Sequence, residues 1–69
     1  MQQIWFDVMR ENEGWVVRCQ KAHYGRYRTQ SEAFSVAVAE ARKIKDSKRI
    51  VHVRVLHESA KEDRHVSLL

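Results

Sequence analysis

The sequence predicts an α+β fold: an antiparallel sheet of three strands, one helix packed across one face, then one or two further strands. Three observations lead there. Two short apolar runs, Ile4 to Arg10 and Trp15 to Gln20, flank a turn containing Gly14. A Thr-x-x-Glu box from Thr29 to Glu32 opens an alanine-rich stretch with helical spacing. The run Ile50-Val51-His52-Val53-Arg54-Val55-Leu56 alternates valines with larger or polar side chains, the period of a strand.

The first strand, Ile4 to Arg10, is rich in aromatic and β-branched residues. Glu11-Asn12-Glu13-Gly14 follows as a turn in which glycine supplies any positive φ. If that loop spans four residues, Arg10 faces Trp15, and the pairing continues through Val8–Val17, Phe6–Cys19 and Ile4–Lys21. This register gathers Ile4, Phe6, Val8, Trp15, Val17 and Cys19 on one face. Trp5, Asp7, Met9, Val16, Arg18 and Gln20 take the other, with Asp7 opposite Arg18. A slip of one residue would scramble both sets, so the pattern argues for its own register. After the connection Lys21-Ala22-His23, Tyr24 to Arg28 reads as a third strand in which Gly25 marks a bulge or a close backbone approach.

The helix is expected from Gln30 to about Lys45, capped by Thr29 and Glu32. Ala33, Ala37, Ala41 and Ile44 form its core stripe, widened by Phe34 and Val38. Arg42, Lys43 and Lys45 lie in the last turns, where cations suit the helix dipole. Asp46 to Arg49 is the exit, and Ile50 to Leu56 is the clearest strand, with Val51, Val53 and Val55 inward. His57 to Asp63 is polar and turn-like. Residues 57–69 end the chain as either a final edge strand or a mobile tail.

Sixty-nine residues are expected to form one domain. A chain of this size buries only about 60% of its unfolded surface, so its core is thin. The single cysteine excludes an internal disulfide, leaving good packing or oligomerisation as support. The chain has no apolar run long enough for a membrane span and no secretory leader at its start, which predicts a reduced, cytoplasmic setting. The net charge of +4 is uneven. Between Arg18 and Arg54 ten Lys/Arg stand against three acids, giving +7, while the remainder carries −3. Such a basic middle attracts phosphate-rich partners, or simply keeps a small domain solvated.

The Gly14-Trp15 turn, the basic third strand, the Thr29/Glu32/Ala33 helix start and the Ile50-Val51-His52 strand, in that order, resemble short bacterial proteins of the domain-of-unknown-function 2188 type. The resemblance covers roughly residues 4 to 56 and implies a bacterial origin and a sheet-plus-helix fold. It implies no activity. A second, weaker resemblance of strand order links the chain to antitoxin subunits of toxin–antitoxin pairs, although the proline of their motif is missing here.

Chemistry-bearing constellations are sparse. His23, His52, His57 and His65 do not fall at metal-ligand spacing, so no metal or cofactor is expected. Cys19 is expected in the core as a small hydrophobe, and no nucleophile turn or phosphate loop is present, so an enzyme is not expected. Arg18, Tyr24, Arg26, Tyr27 and Arg28 form a basic aromatic segment, whose cations and rings suit phosphates and bases. The competing reading is an edge strand whose charges block aggregation. The sheet face away from the helix is expected to show Trp5, Met9, Val16, Ile50 and Leu56 beside Arg18, His52 and Arg54. Five apolar side chains there call for a cover. The cover is the tail through Val66, Leu68 and Leu69, a second copy of the chain, or a nucleobase stacked on Trp5. The leading reading is a small non-enzymatic interaction module that self-associates, as a dimer, through this face or an edge strand. The alternatives are nucleic-acid binding through Trp5, Arg18, His52, Arg54 and the basic segment, and an antitoxin-like partner role.

Overall fold

Two residues, Asn12 and Glu13, turn the first strand back on itself, and the rest of the architecture grows from that hairpin. The computed structural model describes residues 2–20, 22–56 and 62–68. Its elements are β1 (Gln2–Glu11), β2 (Gly14–Cys19), β3 (Ala22–Tyr27), α1 (Gln30–Ile44), β4 (Arg49–Leu56) and β5 (Glu62–Leu68). The hairpin register is the one the apolar pattern requires: Phe6 faces Cys19, Val8 faces Val17 and Arg10 faces Trp15. The ladder runs one pair further, to Glu11 and Gly14, so the loop is tighter than the sequence suggested. Asn12, not Gly14, takes the positive φ, at 58°. Gly14 serves a close approach instead, because a Cβ there would lie 3.2 Å from the Tyr27 carbonyl oxygen. The expected Ile4–Lys21 pair lies outside the described residues.

The five strands lie in the order β3-β2-β1-β4-β5. The sheet is mixed rather than wholly antiparallel, because β1 and β4 pair in parallel. The reason is the crossover. Two hairpin reversals leave β3 running in the direction of β1, and α1 then carries the chain back before β4 begins. A strand–helix–strand unit of this kind returns its second strand parallel to the first. Docking beside β1 makes β1 the central strand, with Phe6 opposite Val53 and Val8 opposite Val55.

β3 begins at Ala22, two residues before the expected start, after Gln20 turns the chain at a φ of 56°. Gly25 sits at a φ of 112°, and the β2–β3 register shifts between Val16 and Arg18, which is the bulge its position suggested. The Thr29 hydroxyl accepts from the Glu32 amide at 3.1 Å, as the capping box requires. The Glu32 carboxylate reaches the Arg28 amide, at 3.3 Å, rather than that of Thr29.

Ala33, Ala37 and Ala41 bury completely and let α1 lie against β1, β2, β3 and β4. Beneath them the core consists of Ile4, Phe6, Val8, Val17, Cys19, Val51, Val53 and Val55, with Trp15, Phe34, Val38 and Ile44 at its margin. β5 pairs antiparallel with β4, so that Val66 meets Val53 and Leu68 meets Val51. Leu68 therefore packs against the helix-side core, and Arg64 lies 4.1 Å above the Phe34 ring. The tail thus extends the sheet edge. It does not fold over the opposite face, as one of the three expected covers required. Leu69 and the 57–61 stretch lie outside the described residues.

Candidate functional site on the open sheet face

Strand alternation sends Gln3, Trp5, Asp7, Met9 and Glu11 of β1 to the face that α1 leaves open. Their ladder partners bring His52, Arg54 and Leu56 from β4 and Val16 and Arg18 from β2 to the same face. β5 adds His65 and Ser67, the partners of Arg54 and His52. Three groups of side chains result.

At the centre, Trp5 stacks on His52 with ring centroids 4.0 Å apart and planes 12° from parallel. The Arg54 guanidinium lies 4.6 Å from the Trp5 centroid, within cation–π range. Arg54 Nε also donates to Asp7 Oδ1 at 2.6 Å, with a second, longer contact from Nη2 to Oδ2 at 3.5 Å. Such a charge-assisted fork is stronger than a neutral hydrogen bond and fixes the plane of the guanidinium over the ring.

Toward β5, the His52 imidazole is only 8% exposed. Its Nδ1 lies 2.9 Å from His65 Nε2 and its Nε2 lies 3.0 Å from Gln3 Oε1. Burial is the main reason that its pKa falls below the ordinary histidine value, with His65 and then Arg54 adding like-charge repulsion.

Toward β3, Glu11 holds two arginines. Arg18 Nη2 donates to Glu11 Oε2 at 3.4 Å, and Arg26 Nη2 donates to Glu11 Oε1 at 3.2 Å. Arg26 Nη1 also donates to the Glu11 carbonyl at 3.2 Å. Among the described residues, Arg18 Nε is shut off from solvent without a hydrogen-bond partner.

The expected Asp7–Arg18 pair does not form. Asp7 takes its parallel-strand neighbour Arg54, and Arg18 reaches diagonally to Glu11. A reading that placed only β2 beside β1 could not see Arg54 as a competitor. The apolar patch is also smaller than expected. Val16 is buried between its ladder partners Met9 and Arg26, and Leu56 is buried beside its ladder partner Met9. Trp5, Met9 and Ile50 remain as half-buried apolar groups.

Of the residues singled out from the sequence, Trp5, His52 and Arg54 come together, and Arg18 and Arg26 join through Glu11 on the same face. Tyr24 and Tyr27 do not share it. The bulge at Gly25 turns both toward the helix side, where the Tyr24 ring lies 5.5 Å from Phe6 and the Tyr27 hydroxyl donates to the Tyr24 carbonyl at 2.6 Å. Arg28 is exposed beside the helix start, where Glu13, Gly14, Arg26, Tyr27, Arg28 and Glu32 line an open depression of mixed charge. The basic block of the sequence is therefore dispersed. Arg18 and Arg26 lie on the open face, Arg28 at the start of α1, and Arg42, Lys43, Lys45, Lys48 and Arg49 around its far end. Gln3, Asp7, Glu11 and His65 were not singled out as site residues. Strand parity, extended along β1, was the signal for the first three.

Cys19 is buried, and burial followed by the nearby Asp7 charge raises its thiol pKa, which is the opposite of what a nucleophile needs. No group of three or more metal-ligating side chains occurs among the described residues, and His57 lies outside them. Among the described residues, no helix is long and apolar enough to cross a membrane.

The chain belongs to the DUF2188 family, whose description is "uncharacterized protein conserved in bacteria" and whose model matches residues 6–65. Comparison with curated proteins and with solved structures finds no match.

Proposed function

We propose that this member of a bacterial family is a small non-enzymatic interaction module that engages a second copy of itself through the open sheet face. The observation that carries the reading is that the acids and arginines of the face are matched before any partner arrives. Asp7 is joined to Arg54, and Glu11 to both Arg18 and Arg26. Covering a lone charge is strongly unfavourable, whereas covering a paired and hydrogen-bonded one costs far less. Trp5 occupies the central strand with Arg54 held against it. Tryptophan and arginine are the side chains that most often dominate the energetic centre of an interface. A contact of one such face with its own copy is isologous, so it closes as a dimer rather than growing into a filament.

Sedimentation equilibrium at micromolar concentration tests this. The expected wild-type species has twice the 8.2 kDa of the chain, and Trp5→Ala is expected to return it to the monomer mass with its circular dichroism retained. A wild-type monomer throughout the concentration range overturns the reading.

A second reading, binding of single-stranded nucleic acid, is favoured by the guanidinium beside the Trp5 ring and by the net charge of +4. It expects tryptophan fluorescence to respond to oligonucleotides at low salt and the response to weaken steeply as salt rises. An unchanged emission with both single- and double-stranded oligonucleotides removes it.

A further inference from the structure

We infer that the hydrogen-bonded chain Gln3–His52–His65 is a proton-operated latch that holds the edge strand β5 to the sheet. Gln3 belongs to β1, His52 to β4 and His65 to β5, so the chain ties three adjacent strands through side chains alone. β5 needs such a tie more than the others do. It has β4 as its single strand neighbour, and α1 packs mainly against β1 through β4.

The proton positions follow from the partners. The Gln3 Oε1 oxygen can only accept, so His52 Nε2 carries the proton and donates to it. Neutral His52 then has its lone pair on Nδ1, which accepts from His65 Nε2–H across 2.9 Å. A first proton added to the pair leaves a lone pair on one of the two facing nitrogens, so the bond stays intact and becomes charge-assisted. A second proton has only that lone pair to occupy. Two N–H groups then face each other at a distance suited to one hydrogen bond, and two imidazolium charges meet. The bond cannot survive that step. The latch is closed with zero or one added proton and open with two.

The surroundings set where that second step falls. Among the described residues, Arg54 of β4 and Asp7 of β1 lie beside the pair on this face and are joined to each other, and Arg54 and His65 each take part in a further interaction as well. Trp5 of β1 stacks on His52, and Ser67, the His52 ladder partner on β5, is uncharged. α1 lies on the opposite face. Burial, His65 and Arg54 all disfavour a charge on His52, so its folded-state pKa lies below the 6.5 of an ordinary histidine. The sign of the linkage follows. The unfolded chain binds this proton more readily than the folded one, so the stabilisation is complete above the ordinary value and is lost as pH falls through the lowered one. The inference does not depend on self-association.

Amide hydrogen exchange on the intact chain tests it, with rates corrected for the intrinsic effect of pH. As pH is lowered from 7.5 until His52 is protonated, amides of residues 64–68 are expected to lose protection ~10-fold or more relative to those of β1 and β2. His52→Gln, whose amide can accept from His65 and donate to Gln3 without ever charging, is expected to abolish the differential loss. Imidazole 15N shifts of the wild type report, independently of any variant, when His52 becomes protonated. Protection of residues 64–68 that is unchanged once His52 is protonated, or that falls equally in every strand, overturns the latch. So does an undiminished differential loss in a folded His52→Gln chain.

Discussion

Phe6→Ala is expected to destabilise the chain by about 3–5 kcal/mol, the range for truncating a buried phenylalanine. Phe6 is fully buried on the central strand, with Cys19 and Val53 as its ladder partners and Tyr24 closing over it from β3. Few neighbours can move into the space. The helical alanines of the same core have no reach, and its β-branched valines are stiff. A chain of 69 residues has a total stability of roughly 3–10 kcal/mol at ordinary values per residue. The substitution therefore removes much or all of it. Urea denaturation followed by circular dichroism is expected to show a midpoint collapsed toward zero denaturant, while Phe6→Leu keeps a cooperative transition. A Phe6→Ala midpoint within the scatter of surface substitutions would contradict the placement of β1 at the middle of the sheet.

That placement also separates what the sequence disclosed from what it withheld. The β1–β2 register was legible because six apolar side chains fall on one face in a single alignment, and the structure keeps every pair that it describes. The helix start was legible because Thr29 and Glu32 carry their own local hydrogen-bond logic. Both signals sit within a few residues of one another. The β1–β4 pairing joins Asp7 to Arg54 across 47 positions, and nothing local to either residue announces it. The rule that a helix crossover returns a parallel strand could have supplied it, and with it the competition that takes Asp7 away from Arg18.

The candidate site divides in the same way. Trp5, His52 and Arg54 were readable from strand parity, since each is the outward member of an alternating run. The position of Tyr24 and Tyr27 was not, because the single extra residue at the Gly25 bulge changes which side chains share a face. Sequence proximity suggested one basic aromatic surface between Arg18 and Arg28. The fold instead divides the segment, turning its rings toward the core and leaving its cations outside. His65 escaped notice for another reason. Its partner lies on β4 at a register that depends on a second irregularity, between Val55 and Leu56.

Ala37→Leu is expected to cost about 1–3 kcal/mol although it adds apolar surface and barely alters helix propensity. Ala33, Ala37 and Ala41 recur every four residues and are all fully buried, so the methyl groups of α1 rest on the sheet with no room beneath them. Three further carbons at the middle position have two outlets. Either the leucine leaves its preferred rotamer, or α1 lifts and weakens the packing of Phe34, Val38 and Ile44 at the core margin. Ala39→Leu makes the same chemical change on the exposed side of the same helix and is expected to stay within about 0.5 kcal/mol of wild type. The difference between the two denaturation midpoints thus isolates the spacing between helix and sheet from the intrinsic behaviour of leucine. Equal midpoints would mean that the alanine stripe does not set this spacing. A large fall for Ala37→Leu alone would show why so small a core tolerates little but alanine along the helix. The close approach substitutes for the bulk that a 69-residue chain cannot supply.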